Sequence, residues 1–219
     1  SSLYGSDALG GLVSYQSLYP EDLLGAEETF KIELPVKYDG SSNQTSGTTR
    51  IAVRDDDSGI EGVVVTTISY GEEDNVKADD KYIDDSEISK KNIYTNIVKN
   101  IDDYTRFNII YENVDTKRNT IQAKARLSSL YSSVEEDVDV NRWMGQLGYE
   151  YENEDSGKLF EYAKVNLYVQ DAEWNDDSLV KYPEGFSRGR YSAAKTVVND
   201  YRYDDESKGL NIQFRSDNS

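Results

Sequence analysis

The 219-residue chain has no cysteine and no histidine. Disulfide bridges, thiolate nucleophiles, the usual zinc ligand sets and Ser-His-Asp or Cys-His catalysis are therefore absent from it. Its 24 Lys+Arg against 42 Asp+Glu leave a net charge of −18, which excludes neutralisation of a run of phosphates and so an electrostatic nucleic-acid binder. Long apolar runs are missing too. The uncharged stretch of most apolar character, Gly62 to Gly71, is about half of what a membrane-spanning helix requires, and the mean hydropathy is −0.75. Spanning β-strands are not excluded by either fact. Proline is scarce, with 3 residues, whereas tyrosine is abundant, with 18, a balance that favours strands over solvated coil. No signal peptide opens the sequence and its first residue is Ser1, so the chain is expected to be a piece of a longer protein.

Period-two alternation dominates. From Phe30 to Tyr38 the apolar residues Phe30, Ile32, Leu34, Val36 and Tyr38 alternate with Lys31, Glu33, Pro35 and Lys37. The pattern returns in Leu147, Tyr149 and Tyr151, in Ala163, Val165, Leu167 and Val169 around Lys164 and Asn166, and in shorter form at Phe107, Ile109, Tyr111 and at Leu210, Ile212, Phe214. With less regular runs between, about nine strands and no amphipathic helix are predicted, so the chain reads as all-β.

Connections separate a membrane barrel from a soluble sandwich. After a moderate first one (DGSSNQTSG), tight links at Asp55, Asp102, Asn153 and Asp204 (DDESKG) alternate with long ones at 72–90, 113–141 and 171–190. Short turns at one end and long loops at the other are the asymmetry of an outer-membrane barrel. The reading is an antiparallel up-and-down meander, part of a transmembrane β-barrel. Phe30, Ile32, Leu34, Val36, Leu147, Tyr149, Val165, Leu167 and Val169 are expected to face lipid, and tyrosines such as Tyr38, Tyr70, Tyr94, Tyr104, Tyr111, Tyr201 and Tyr203 to mark strand ends.

The first residues read SSLYGSDALGG, with Gly5, Gly10 and Gly11 implying tight backbone turns. This stretch resembles the end of the plug domain of TonB-dependent outer-membrane receptors, carried by Leu3, Tyr4, Gly5, Ser6, Asp7, Gly10 and Gly11. Its continuation, SYQSLYPEDLL from Ser14 to Leu24, is similar to the plug-to-barrel linker of the haem and haemoglobin receptor branch. The resemblance implies residues 1–25 as the C-terminal end of the plug and linker, and 26–219 as the N-terminal part of a barrel of 22 strands. It also implies a bacterial outer-membrane location, energy from the TonB complex acting on the plug, no permanently bound cofactor, and haem or another iron complex as transported ligand, delivered free or by a haem-carrier protein. The histidines that hold haem in that branch lie outside this stretch, so haem is implied by the branch alone, and a siderophore or another nutrient stays open.

Acidic residues crowd three predicted connections: Glu72 to Glu87, Glu135 to Asp139, and Asp171 to Asp177. None has the spacing of a twelve-residue calcium loop, which favours a solvated, charged surface and no metal site. Tyr82, Tyr131 and Tyr182, in the long connections, are the candidate ligand-binding residues, as iron ligands or as contacts for a protein partner. No pair of carboxylates stands out as catalytic, so no enzyme is expected. The alternative function is a structural or adhesive protein, either a small outer-membrane barrel or a soluble acidic β-protein.

Overall fold

A computed structural model describes residues 17–40, 43–72, 85–122, 133–153, 161–187 and 190–216. After a single 3-10 turn at Pro20–Asp22, the chain forms β1 (Phe30–Glu33), β2 (Val36–Asp39), β3 (Gln44–Asp55), β4 (Ile60–Glu72), β5 (Asp85–Asp102), β6 (Thr105–Gln122), β7 (Ser133–Glu152), β8 (Tyr162–Tyr182), β9 (Gly185–Ser187), β10 (Arg190–Ser192) and β11 (Lys195–Arg215). One antiparallel sheet of nine strands runs β1-β3-β4-β5-β6-β7-β8-β11, with β2 also paired to β3, and β9 and β10 form a separate hairpin. From β3 to β8 each strand pairs with the next in sequence, the up-and-down meander that tight turns impose, while β1 and β2 both pair with β3 and β11 passes the β9–β10 hairpin to pair with β8. Among the described residues the sheet does not close.

The strands divide differently from the alternation. The run from Phe30 to Tyr38 is split, because Pro35 has no N–H to give the ladder, yet β1 and β2 keep one register against β3 and share a lane. The turn expected at Asp204 does not exist. Asp204, Asp205 and Glu206 sit opposite Glu173, Ala172 and Asp171 in an unbroken ladder with β8. An available partner strand along the whole length overrides the turn preference of DDESKG, as context does for strand propensities in general.

The expected long connections are shorter, since the strands run on beyond the alternation. Only 123–132 separate β6 from β7, and 183–194, with the β9–β10 hairpin, separate β8 from β11. The acidic groups Glu135 to Asp139 and Asp171 to Asp177 therefore lie within β7 and β8, not in loops. The first connection is a tight one at 40–43, where Asn43 takes a positive φ of 45°. The turn between β3 and β4 places Gly59 at φ 64°.

Side chains alternate across the sheet, so register sorts them into two faces. Ala52, Val63, Ser69, Asn96, Val98, Asn108, Ile110, Val138 and Glu150 are buried, and register puts all of them on the same face. That face carries residues 17–28, and we call it the seat face. The small core consists of Leu24, Ala52 and Val63 with Leu18, Leu23, Val65 and Tyr94 packed against it. The opposite, open face has no covering element among the described residues.

Candidate functional site

The seat is built from polar side chains of six lanes, β1, β3, β5, β6, β7 and β8. The Tyr94 hydroxyl and the Asn96 amide both donate to the carbonyl of Leu18, at 2.9 and 3.0 Å. Lys31 donates to the carbonyl of Leu23 at 2.9 Å, and the Arg54 guanidinium to those of Gly25 and Ala26 at 3.2 and 3.3 Å. Arg106 pairs with Glu21 at 2.7 Å and lies over the Tyr19 ring, 4.6 Å from its centroid. Opposite it in register, Glu150 is buried between Arg106, at 3.2 Å, and Lys164, at 3.5 Å. The two cations that flank its carboxylate offset part of the cost of burying it. The 3-10 turn is closed locally, since Tyr19 N–H donates to the Asp22 carboxylate at 2.7 Å.

The open face carries the second candidate surface. Phe30, Val53, Gly62, Ile97, Ile109, Leu147, Leu167 and Leu210 occupy one row across the sheet. Ile109, Leu147, Leu167 and Leu210 are 53%, 55%, 52% and 57% exposed, whereas Ile110 on the seat face is 1% exposed. The rows on either side continue the belt. Aromatics border it: Trp143 at one end of the β7 stretch and Tyr149 and Tyr151 at the other, Tyr38 and Tyr70 toward the long connections, and Phe214 toward the tight turns. The Phe107 and Tyr149 rings meet at 5.1 Å between centroids.

Beyond the belt, toward the long connections, the open face turns polar and acidic. Asp137, Asp177 and Asp200 are directly opposed on three lanes, and Glu173 faces Asp204, and Asp171 faces Glu206. Like charges so opposed weaken a sheet. Asp139 instead faces Lys117, which contacts it at 2.9 Å, and the carboxylate holds that ammonium above its ordinary range. Among the described residues no three carboxylates converge into a metal-holding group.

Of the residues singled out from sequence, Leu3, Tyr4, Gly5, Ser6, Asp7, Gly10 and Gly11 lie outside the described residues, as do Tyr82 and Tyr131. Tyr182 is the last residue of β8 rather than a loop residue, and the Lys195 ammonium of β11 stands 5.8 Å from its ring. Tyr94 is not at a strand end either: it sits inside β5, on the seat face. Sequence reading missed Arg54, Tyr94, Asn96, Arg106, Glu150 and Lys164 as a set. Their one signal is alternation, which puts them on the wet face and says nothing of what they hold. No protein-family model matches the chain, and no curated protein matches it.

Proposed function

We propose that this chain is part of an outer-membrane β-barrel whose open face meets lipid and whose seat face holds the segment that leads out of a plug. The carrying observation is the slant of the apolar belt. On the first lane its midpoint is Leu34, which falls opposite Thr49 in the register shared by β1 and β2, and that row continues through Thr66, Ile93, Asn113, Trp143 and Asp171 to Glu206. On β11 the midpoint of the apolar stretch is Ile212, six residues further along. Six residues are about 20 Å along a strand, and the seven lane-to-lane steps are about 34 Å across the sheet, so the belt is inclined by about 30° to the rows.

A membrane plane cuts tilted strands at that kind of angle, about 35–45° in spanning barrels. The core of a soluble sandwich has no reason to slip steadily in one direction. From Trp143 to Tyr151 the belt covers about 27 Å of strand, or about 23 Å along the normal after tilt, near the ~25 Å band of such barrels.

The functional class follows from the plug-like SSLYGSDALGG and the linker-like SYQSLYPEDLL that resemble TonB-dependent receptors. In this reading the seat anchors the linker, the TonB complex supplies energy through the plug, and the extensions beyond the belt present the recognition surface. The transported ligand is an iron complex, haem before others, and no residue here does covalent chemistry. The test supplies the full-length gene to a haem-requiring bacterium that lacks its own receptor, with haem or haemoglobin as sole iron source. Growth supports the reading. Growth on a ferric siderophore alone keeps the receptor class and removes haem, while growth on neither leaves a structural or adhesive barrel.

A further inference from the structure

The two faces exchange character along the strands. Within the belt the open face is apolar and the seat face polar, but beyond it, toward the long connections, the open face is acidic and the apolar residues move to the seat face. Val140 on β7, Trp174 on β8 and Tyr203 on β11 form one row there, and Val138 and Tyr201 flank Asp176 in the next toward the connections. Trp174, Tyr201 and Tyr203 are exposed, and no element among the described residues covers them.

Asp176 has no counter-ion. Its Oδ1 is buried and has no hydrogen-bond partner. Glu33, Glu61, Glu112 and Glu150, elsewhere on the seat face, each pair with an arginine. The nearest arginines to Asp176 on this face do not serve it: Arg118 stands one lane beyond Val138, and Arg142 is taken by Glu112 at 2.9 Å. A carboxylate drawn out of water among aromatic rings gains from a cation twice, through its charge and through the ring faces.

The surroundings favour a polypeptide as the source of that cation. Residues 133–141, 171–182 and 195–206 carry 12 acidic side chains against 3 basic ones, and of those Lys181 and Arg202 are already paired with Glu135 and Asp200 on the open face. From Asp171 to Tyr182 the strip is about 36 Å long, and its three lanes are about 14 Å wide, so the seat face of the strip is about 500 Å². That is close to one side of a weak, transient protein interface, and Trp and Tyr are the residues that anchor such interfaces. Resting on the receptor reading above, which puts the long connections outside, we propose that this inner wall of the barrel mouth docks a basic protein, one of whose arginine side chains enters between Trp174, Tyr201 and Tyr203 to meet Asp176. A planar guanidinium suits both the rings and the carboxylate. An anionic ligand is repelled here, so the surface serves the protein that delivers it.

The intact chain in neutral detergent is titrated by calorimetry at low salt with tetra-arginine amide, with tetraglutamate, and with guanidinium chloride. Tetra-arginine is expected to bind, tetraglutamate not to, and guanidinium far more weakly. Asp176→Asn, which keeps the side-chain shape and breaks no ion pair, is expected to weaken tetra-arginine binding by about tenfold, and Trp174→Ala by about threefold or more. Asp177→Asn removes the same charge one residue away on the open face and should weaken it by less than about twofold. Absence of tetra-arginine binding, equal weakening by Asp176→Asn and Asp177→Asn, or guanidinium bound as tightly as tetra-arginine overturns this dock while the receptor reading stands. Binding at Asp176 by a chain that supports growth on neither iron source keeps the dock and removes the receptor reading.

Discussion

At the scale of single residues, the seat depends on Arg106 more than on any other side chain, because it serves Glu21, Glu150 and the Tyr19 ring at once. Removing it strands Glu150, buried and left with Lys164 at 3.5 Å. Arg106→Ala is therefore expected to raise amide hydrogen exchange over residues 19–24 and to leave the β7–β8 ladder protected. Unchanged exchange in that segment would show that the Leu18 and Leu24 contacts hold it alone. Gly59 offers a second test. Its left-handed backbone and the Asn100 carbonyl, 3.0 Å from where a Cβ would stand, predict that Gly59→Ala destabilises the chain by about 1–2 kcal/mol, read as a lower urea midpoint in detergent.

At the scale of strands, the two faces of β8 make different demands. Leu167 lies in the central row of the belt, so Leu167→Arg is expected to cost about 2–4 kcal/mol if that row is near the bilayer midplane, whereas Gln170→Arg, on the seat face, should stay within about 0.5 kcal/mol. Equal costs, measured by reversible unfolding in lipid, would contradict the assignment of faces.

Alternation made this legible from sequence, since one apolar and one wet face leave a clear period of two at Val165, Leu167 and Val169. It also misled. Asn166 reads as an interchangeable wet residue, yet its amide packs over Gly148 beside Asn108, a fit that depends on two other strands. Where β7, β8 and β11 run past the belt the open face is acidic, apolar residues such as Val138 and Val140 fall on the other face, and a stretch such as DDESKG looks like a turn. The seat was out of reach for another reason: Arg106 and Glu21 are 85 positions apart, and charge alternation does not encode a partner at that separation.

At the scale of the molecule, the sheet has two edges, β1 with β2 on one side and β11 on the other, each with unpaired backbone groups among the described residues. Together with the exposed belt they predict that the chain in water without detergent associates. Light scattering with and without detergent checks this, and a monodisperse monomer in plain buffer would count against a lipid-facing belt.

The register between neighbouring strands is constant along nearly every ladder, and among the described pairs the one slip falls at Asn100/Asp102. That uniformity has a genetic corollary. Deleting one residue inside β7 turns every side chain beyond the deletion to the other face, so Leu147 would enter the seat and Glu150 the belt, whereas deleting two restores both. Gene variants that still yield a working protein should thus gain or lose codons within strands in pairs. Single-codon changes should survive only in the connections and at the slip near Asn100, where a bulge already absorbs the odd residue.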